Sequence, residues 1–152
     1  MSADTPHNVE HLEAAIAEAR MGLSEGGIPI GSVLVLDEQI VGRGHNRRVQ
    51  QGSPIHHAEM DCLENAGRLT AAEYRRTTLY STLSPCDMCS GAVLLYEIPR
   101  VIIGENRTFQ GPEAYVASRG VALTVIDDPQ CVELMERFIA ERPELWNEDI
   151  GV

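Results

Sequence analysis

Lysine is absent: all 12 basic residues are arginines, set against 23 acidic residues, for a formal net charge of −11 over 152 residues. Nucleic acids and anionic membranes are held through basic surfaces, so this balance weighs against both as partners. No apolar run approaches the ~18 residues of a membrane span. The N-terminal stretch Met1–His7 is polar and lacks the basic and apolar regions of a secretion signal, so the chain is expected to be cytoplasmic. Internal repeats, low-complexity tracts and Pro/Gly/Ser linkers are missing too, and residues 1–152 are expected to form a single domain. What is present is an ordinary globular composition, 43% hydrophobic and 23% charged. The four cysteines are Cys62, Cys86, Cys89 and Cys131, and in an unsecreted chain the close pair Cys86/Cys89 reads as metal or redox chemistry rather than a disulfide framework.

The hydrophobic pattern alternates helix and strand. Val9, Leu12, Ile16, Ala19 and Leu23 recur at helical spacing until Gly26-Gly27. Ser32–Leu36 and Gln39–Gly44 flank Asp37-Glu38 as a hairpin, and a polar loop, Asn46–Ile55, follows. His57–Ala66 is expected to be helical and closed by Gly67, Thr77–Thr82 a strand, Cys86–Tyr96 a helix and Val101–Gly104 a strand. Pro112–Arg119 reads as a helix, Val121–Ile126 as a strand, and Pro129–Ala140 as a helix opened by Asp127/Asp128. The roughly sixteen residues of Glu105–Gly120 suit a crossover between parallel strands. The expected fold is α/β, a mixed sheet with helices on its faces.

Two segments carry chemistry. His57-Ala58-Glu59 opens one helix, and Pro85-Cys86-Asp87-Met88-Cys89 runs from a strand into another. Together they offer one imidazole and two thiols, donors that suit tetrahedral zinc, and three protein ligands leave a fourth position for water. The dipole at a helix N-terminus favours the thiolates. Glu59 lies beside such a centre without ligating it and can carry protons between water and a leaving group. A structural zinc knuckle would need a fourth ligand. His56 is the spare candidate, but its side chain should point away from that of His57, as a loop or cap histidine. Paired His-x-Glu and Pro-Cys-x-x-Cys motifs are a signature of zinc-dependent nucleobase deaminases, an assignment that spacing alone does not dictate.

Over nearly its whole length the sequence resembles the fungal-type cytosine deaminases of the cytidine-deaminase-like superfamily. Beyond the zinc motifs, the resemblance is carried by Glu25–Gly31, Gly42-Arg43-Gly44-His45-Asn46, Thr77–Cys89, Ile98-Pro99-Arg100, Gly104-Glu105-Asn106 and the tail Glu141–Gly151. It implies a three-layer α/β/α sandwich around a five-stranded mixed sheet, a homodimer, one Zn2+ per chain, and deamination of the free base cytosine to uracil in nucleobase salvage. Carried over residue by residue, His57, Cys86 and Cys89 hold the metal and Glu59 shuttles protons. Asn46 and the Ala58 backbone N–H take the ring's carbonyl edge, the Ser84 carbonyl and the Asp149 carboxylate receive the amino group, Phe109 stacks on the ring, and Trp146 with Ile150 closes the pocket. An amide such as Asn46 both donates and accepts, which matches a carbonyl beside an N–H. Trp146, Asp149 and Ile150 would share one face of a short helix.

Two positions depart from the family pattern. Ala58 stands where the yeast pattern has Gly, and Asn147 where it has Phe. Isocytosine, guanine and creatinine-like rings therefore stay open as substrates. A tRNA-adenosine editor is a further alternative, against which the acidic charge counts. A non-catalytic zinc module would have no use for Glu59.

Overall fold

The computed structural model describes residues 9–152, so the polar stretch Met1–His7 lies outside the described residues. In chain order the elements are α1 (Val9–Ser24), β1 (Gly31–Leu36), β2 (Gln39–His45), α2 (Arg48–Gln51), α3 (Ala58–Ala66), α4 (Ala71–Tyr74), β3 (Thr77–Leu83), α5 (Asp87–Leu95), β4 (Arg100–Glu105), α6 (Glu113–Ser118), β5 (Ala122–Val125), α7 (Pro129–Glu141) and α8 (Pro143–Ile150).

The β1–β2 hairpin turns on Asp37-Glu38, both with positive φ (50° and 68°), as the tight turn that follows strand twist requires. The five strands are ordered β2-β1-β3-β4-β5. Strand β1 is antiparallel to both β2 and β3, and β3, β4 and β5 run parallel. It follows that β2 points the same way as β3, β4 and β5, and their carboxyl ends meet at one edge of the sheet. In open α/β sheets that edge is where ligands bind.

Side chains alternate across the sheet. Val33 and Val35 of β1 join Leu12 and Ile16 of α1 and Leu134 of α7 on one face. Leu34, between them, joins Leu79, Val101 and Ile103 against Cys62 of α3, Val93 of α5 and Val116 of α6 on the other. The result is the expected three-layer α/β/α sandwich around a five-stranded mixed sheet. Helix α1 lies so close to the first residue of β1 that a Cβ on Gly31 would stand 2.0 Å from the Ala15 carbonyl oxygen. A third apolar cluster, Ile28, Ile30, Ala58, Leu83, Met135, Phe138 and Trp146, fills the carboxyl edge of the sheet and joins α7 and α8 to the rest.

Two short helices were not expected. Arg48–Gln51 is a single turn inside the polar loop, closed by Gly52 in the left-handed region. Ala71–Tyr74 is opened by a reciprocal pair of bonds, Thr70 side chain to the Glu73 N–H and Glu73 side chain to the Thr70 N–H.

Candidate active site

His57 is the N-cap residue of α3 and Cys86 that of α5, each in extended backbone, so the two helices begin facing one point. Cys89 lies one turn into α5, fully buried. The His57 Nδ1 is 3.4 Å from the Cys86 Sγ and 3.8 Å from the Cys89 Sγ, and the three donor atoms all lie within 4.8 Å of one another. Neighbouring N and S ligands of a tetrahedral zinc with ordinary bond lengths stand about 3.6 Å apart. The donors therefore fit that ion, and among the described residues no other His, Cys, Asp or Glu joins the group. His56 turns the other way and meets Asp61, its Nε2 2.8 Å from Oδ1.

Within the cluster the two thiols and the imidazole shift one another. The bond from Cys89 and, after it, His57 hold the Cys86 thiol down to about 4 against burial. The same bond, with burial, pushes the Cys89 thiol up. Burial pulls the His57 imidazole down, but bonds to Asp149 and Cys86 outweigh it and lift the ring to about 10. A site that gathers protons around thiolate and imidazole is one from which a dication releases them on binding.

Glu59 sits on the first turn of α3, two residues past His57, and is 4% exposed. Burial first and the charge of Cys86 second raise its carboxyl to about 7, a value suited to taking and returning a proton near neutrality. The Ser81 hydroxyl donates to its Oε2 at 3.2 Å, and the Ser32 hydroxyl donates to Ser81 at 3.2 Å. Both serines are fully buried.

A cavity of ≈ 20 Å³ opens on this group, lined by Ile30, His57, Glu59, Leu83, Ser84, Cys86, Phe109, Trp146, Asp149 and Ile150. That is room for about one water, not for a heterocycle. An outer cleft of ≈ 800 Å³ runs from it past Arg48, Met88, Gln110 and Glu148. The residues singled out in the sequence thus converge. Phe109 and Trp146 meet edge to face with centroids 5.8 Å apart. Trp146, Asp149 and Ile150, all on α8, face inward together. Ala58 is fully buried beside them in the apolar cluster. Asn147 is exposed on α8 and does not line the cavity.

Asp149 bridges two of the expected site residues, its Oδ1 3.1 Å from the His57 Nε2 and accepting from the Asn46 Nδ2 at 3.3 Å. A carboxylate on the outer nitrogen of a metal-ligating histidine fixes the ring's tautomer and orientation. Asn46 also accepts from the Arg48 N–H, so both ends of its amide are engaged.

Several residues that serve the site were not singled out in the sequence. Glu105 holds the start of the Phe109 loop by accepting from the Arg107 and Thr108 N–H groups at 2.7 and 3.0 Å. Glu113 holds its end, accepting from the Ser84 hydroxyl at 2.6 Å, while Ser84 accepts from the Gly111 N–H. The single signal for Glu105 in the sequence was the Gly104-Glu105-Asn106 segment itself.

Comparison with known proteins agrees with this geometry. The family model for the cytidine and deoxycytidylate deaminase zinc-binding region matches residues 6–105. A cytosine deaminase from Candida albicans is 50% identical over 141 residues, 92% of this chain and 94% of that protein. A tRNA-specific adenosine deaminase from Streptococcus pyogenes serotype M18 is 40% identical over 116 residues, 72% of each chain. Among solved structures, one from a study of A-to-I editing by tRNA:A34 deaminases has a TM-score of 0.70 at 27% identity, covering 84% of this chain and 99% of that one. Guanine deaminase from Nitrosomonas europaea shares the fold, with a TM-score of 0.69 at 19% identity over 86% of this chain and 83% of its own.

Proposed function

The chain belongs to the cytidine and deoxycytidylate deaminase family of zinc-dependent hydrolytic deaminases, and from that premise we propose that it converts free cytosine and water to uracil and ammonia. One observation carries the choice of substrate class: one cavity is lined by His57, Cys86, Glu59, the Phe109–Trp146 aromatic pair and Asp149, whose carboxylate is bonded to the Asn46 amide. A flat ring needs apolar faces and a few placed polar groups, and this cavity offers both.

Held by His57, Cys86 and Cys89, zinc would supply Lewis-acid activation of a water near neutral pH. Glu59 takes one proton from the attacking water and gives it to the ring nitrogen beside the reacting carbon, then takes the second from the oxygen now on that carbon and gives it to the amine, so that the C–N bond breaks, the C=O of uracil forms and ammonia leaves. Ser81 aims the carboxylate for this work. Asn46 and the Ala58 N–H take the ring's carbonyl edge. Asp149 exchanges its bond to Asn46 for the substrate's amino group, aided by the Ser84 carbonyl, and keeps the His57 ring in place. Phe109 covers one face of the ring, and Trp146 with Ile150 closes over it. Since the cavity has room for about one water, α8 has to swing out to admit the base and again to release uracil.

Asn46 would also meet the ring position to which a nucleoside attaches its sugar, so the free base is preferred over cytidine. The matches to tRNA-specific adenosine deaminases raise polynucleotide editing as a second reading. A net charge of −11 without a lysine disfavours it. The whole chain, 1–152, acts as one domain on this reading. It works as a cytoplasmic homodimer in nucleobase salvage, with the exposed Leu95 and Tyr96 as an apolar surface for a second copy to cover. The test is Glu59→Gln. The variant should keep one zinc per chain and lose cytosine turnover by ~10²–10⁴-fold. Turnover near that of the parent protein would refute Glu59 as the proton carrier.

A further inference from the structure

Helix α3 carries a second buried carboxylate, Asp61, on the same first turn as Glu59. It accepts from three places in the chain. Its Oδ2 takes the backbone N–H of His45 and the Nε–H of Arg47, each at 3.0 Å, and its Oδ1 lies 2.8 Å from the His56 Nε2. His45 and Arg47 flank Asn46, and His56 immediately precedes the metal ligand His57. One carboxylate thereby grips both neighbours of the ring-reading amide and the residue before the metal.

Other contacts leave this arrangement little play. The Arg47 N–H donates to the His56 carbonyl at 2.9 Å, the Asn46 N–H to the Ile30 carbonyl at 3.0 Å, and the Gln50 side chain to the Asn46 carbonyl at 3.1 Å. Strand β2 meets α3 at Gly44, where a Cβ would stand 2.5 Å from the Cys62 nitrogen and 2.6 Å from the Asp61 Oδ2. The His45 ring, fully buried, is bonded on its far side to Glu18 and Glu25 at 2.8 and 2.9 Å. A buried carboxylate is costly unless donors surround it, and here every donor comes from a segment that flanks the site.

We propose that Asp61 is a positioning residue that sets the distance and angle between the Asn46 amide and the metal and proton-transfer end of α3. The role rests on the proposed function, in which the base lies between Asn46 and Glu59. A misplacement of about 1 Å between such groups can cost ~10²-fold in rate. Asp61 itself touches neither the base nor the metal; it acts through Asn46.

The experiment is a double-mutant cycle on the zinc-loaded protein, pairing Asp61→Asn with Asn46→Ser and reading kcat/KM for cytosine under single-turnover conditions. Asp61→Asn alone should keep one zinc per chain and lower kcat/KM about 10- to 100-fold. In the Asn46→Ser background the same change should cost less than about twofold, because the group through which Asp61 acts is already lost. Equal losses in both backgrounds, or kcat/KM within about threefold of the parent in Asp61→Asn alone, overturn the proposal. Should Asp61→Asn not fold, Arg47→Ala removes one of the three bonds and is read by the same cycle, with a smaller loss and the same dependence on Asn46. A substrate-free arm separates this from failure of the functional reading. Exchange of the His45 amide hydrogen should accelerate at least about tenfold in Asp61→Asn. If cytosine is not turned over by the parent protein, the functional reading falls, and Asp61 is then judged on that exchange: unchanged protection overturns its role.

Discussion

At the scale of single residues, the site is a set of side chains whose neighbours decide their chemistry. Cys86 stands at a helix N-terminus with a proton donor beside it, while Cys62 is buried between the sheet and α3, where burial pushes its thiol up. The same residue type thereby suits a metal in one place and the core in the other. Cys86→Ala should lose zinc and activity together, as metal analysis of the purified variant would report. Retention of a full equivalent of zinc would contradict the ligand set. His57, Glu59, Cys86 and Cys89 were legible because their spacing is a local property of the chain. Asp61 was not: in sequence, an acid early in a helix reads as a charge complementing the dipole, and its partners lie 16, 14 and 5 residues away. Burial pushes its carboxyl up, but the bonds from His56, the His45 amide and Arg47 more than reverse this and hold it below its ordinary 3.8. A depressed folded-state value contributes stability above that ordinary pH and loses it as pH falls through the folded value. The parent protein should therefore melt above Asp61→Asn near neutral pH, with the gap closing as the pH falls below Asp61's ordinary 3.8 and through its lowered folded value. A gap that stays constant across that range would contradict the ionised, bonded Asp61.

At the scale of elements, α8 joins two roles, covering the pocket and packing the tail down. Trp146 lines the cavity and also packs in the apolar cluster with Met135 and Phe138, while Asp149 reaches His57. Removing the chain after Arg142 should accordingly abolish most activity and also lower the melting temperature. Truncating a buried Trp to Ala costs ~3–5 kcal/mol. The separable variant is Asp149→Ala, which should lose activity and keep zinc; unaltered kinetics in that variant would remove α8 from the chemistry. The long amphipathic and β-branched elements were readable from their periods, and their ends moved by a residue or so because His57 and Cys86 cap helices rather than begin them. The two single-turn helices are too short for a hydrophobic period. The Thr70-x-x-Glu73 pattern announced one of them all the same, and Gly52 marks the end of the other.

At the scale of the whole molecule, the hairpin and the helix-linked strands were foreseeable, but the place where they join was not. Nothing local shows that β1 rather than β2 pairs with β3; β1, buried nearly throughout, takes the inner place between β2 and β3, and the partly exposed β2 takes the edge. That order brings the end of β2, and with it Asn46, to the same sheet edge as the end of β3, where α5 begins at Cys86. A net charge of −11 without a lysine supports the proposed small base over a polynucleotide. The most direct test is ammonia release by the zinc-loaded protein from a panel of cytosine, isocytosine, guanine, creatinine and cytidine, each at matched concentration. Cytosine should be turned over fastest and cytidine not at comparable efficiency. Efficient turnover of cytidine, or of guanine in preference to cytosine, would contradict the pocket described for Asn46, Phe109 and Asp149.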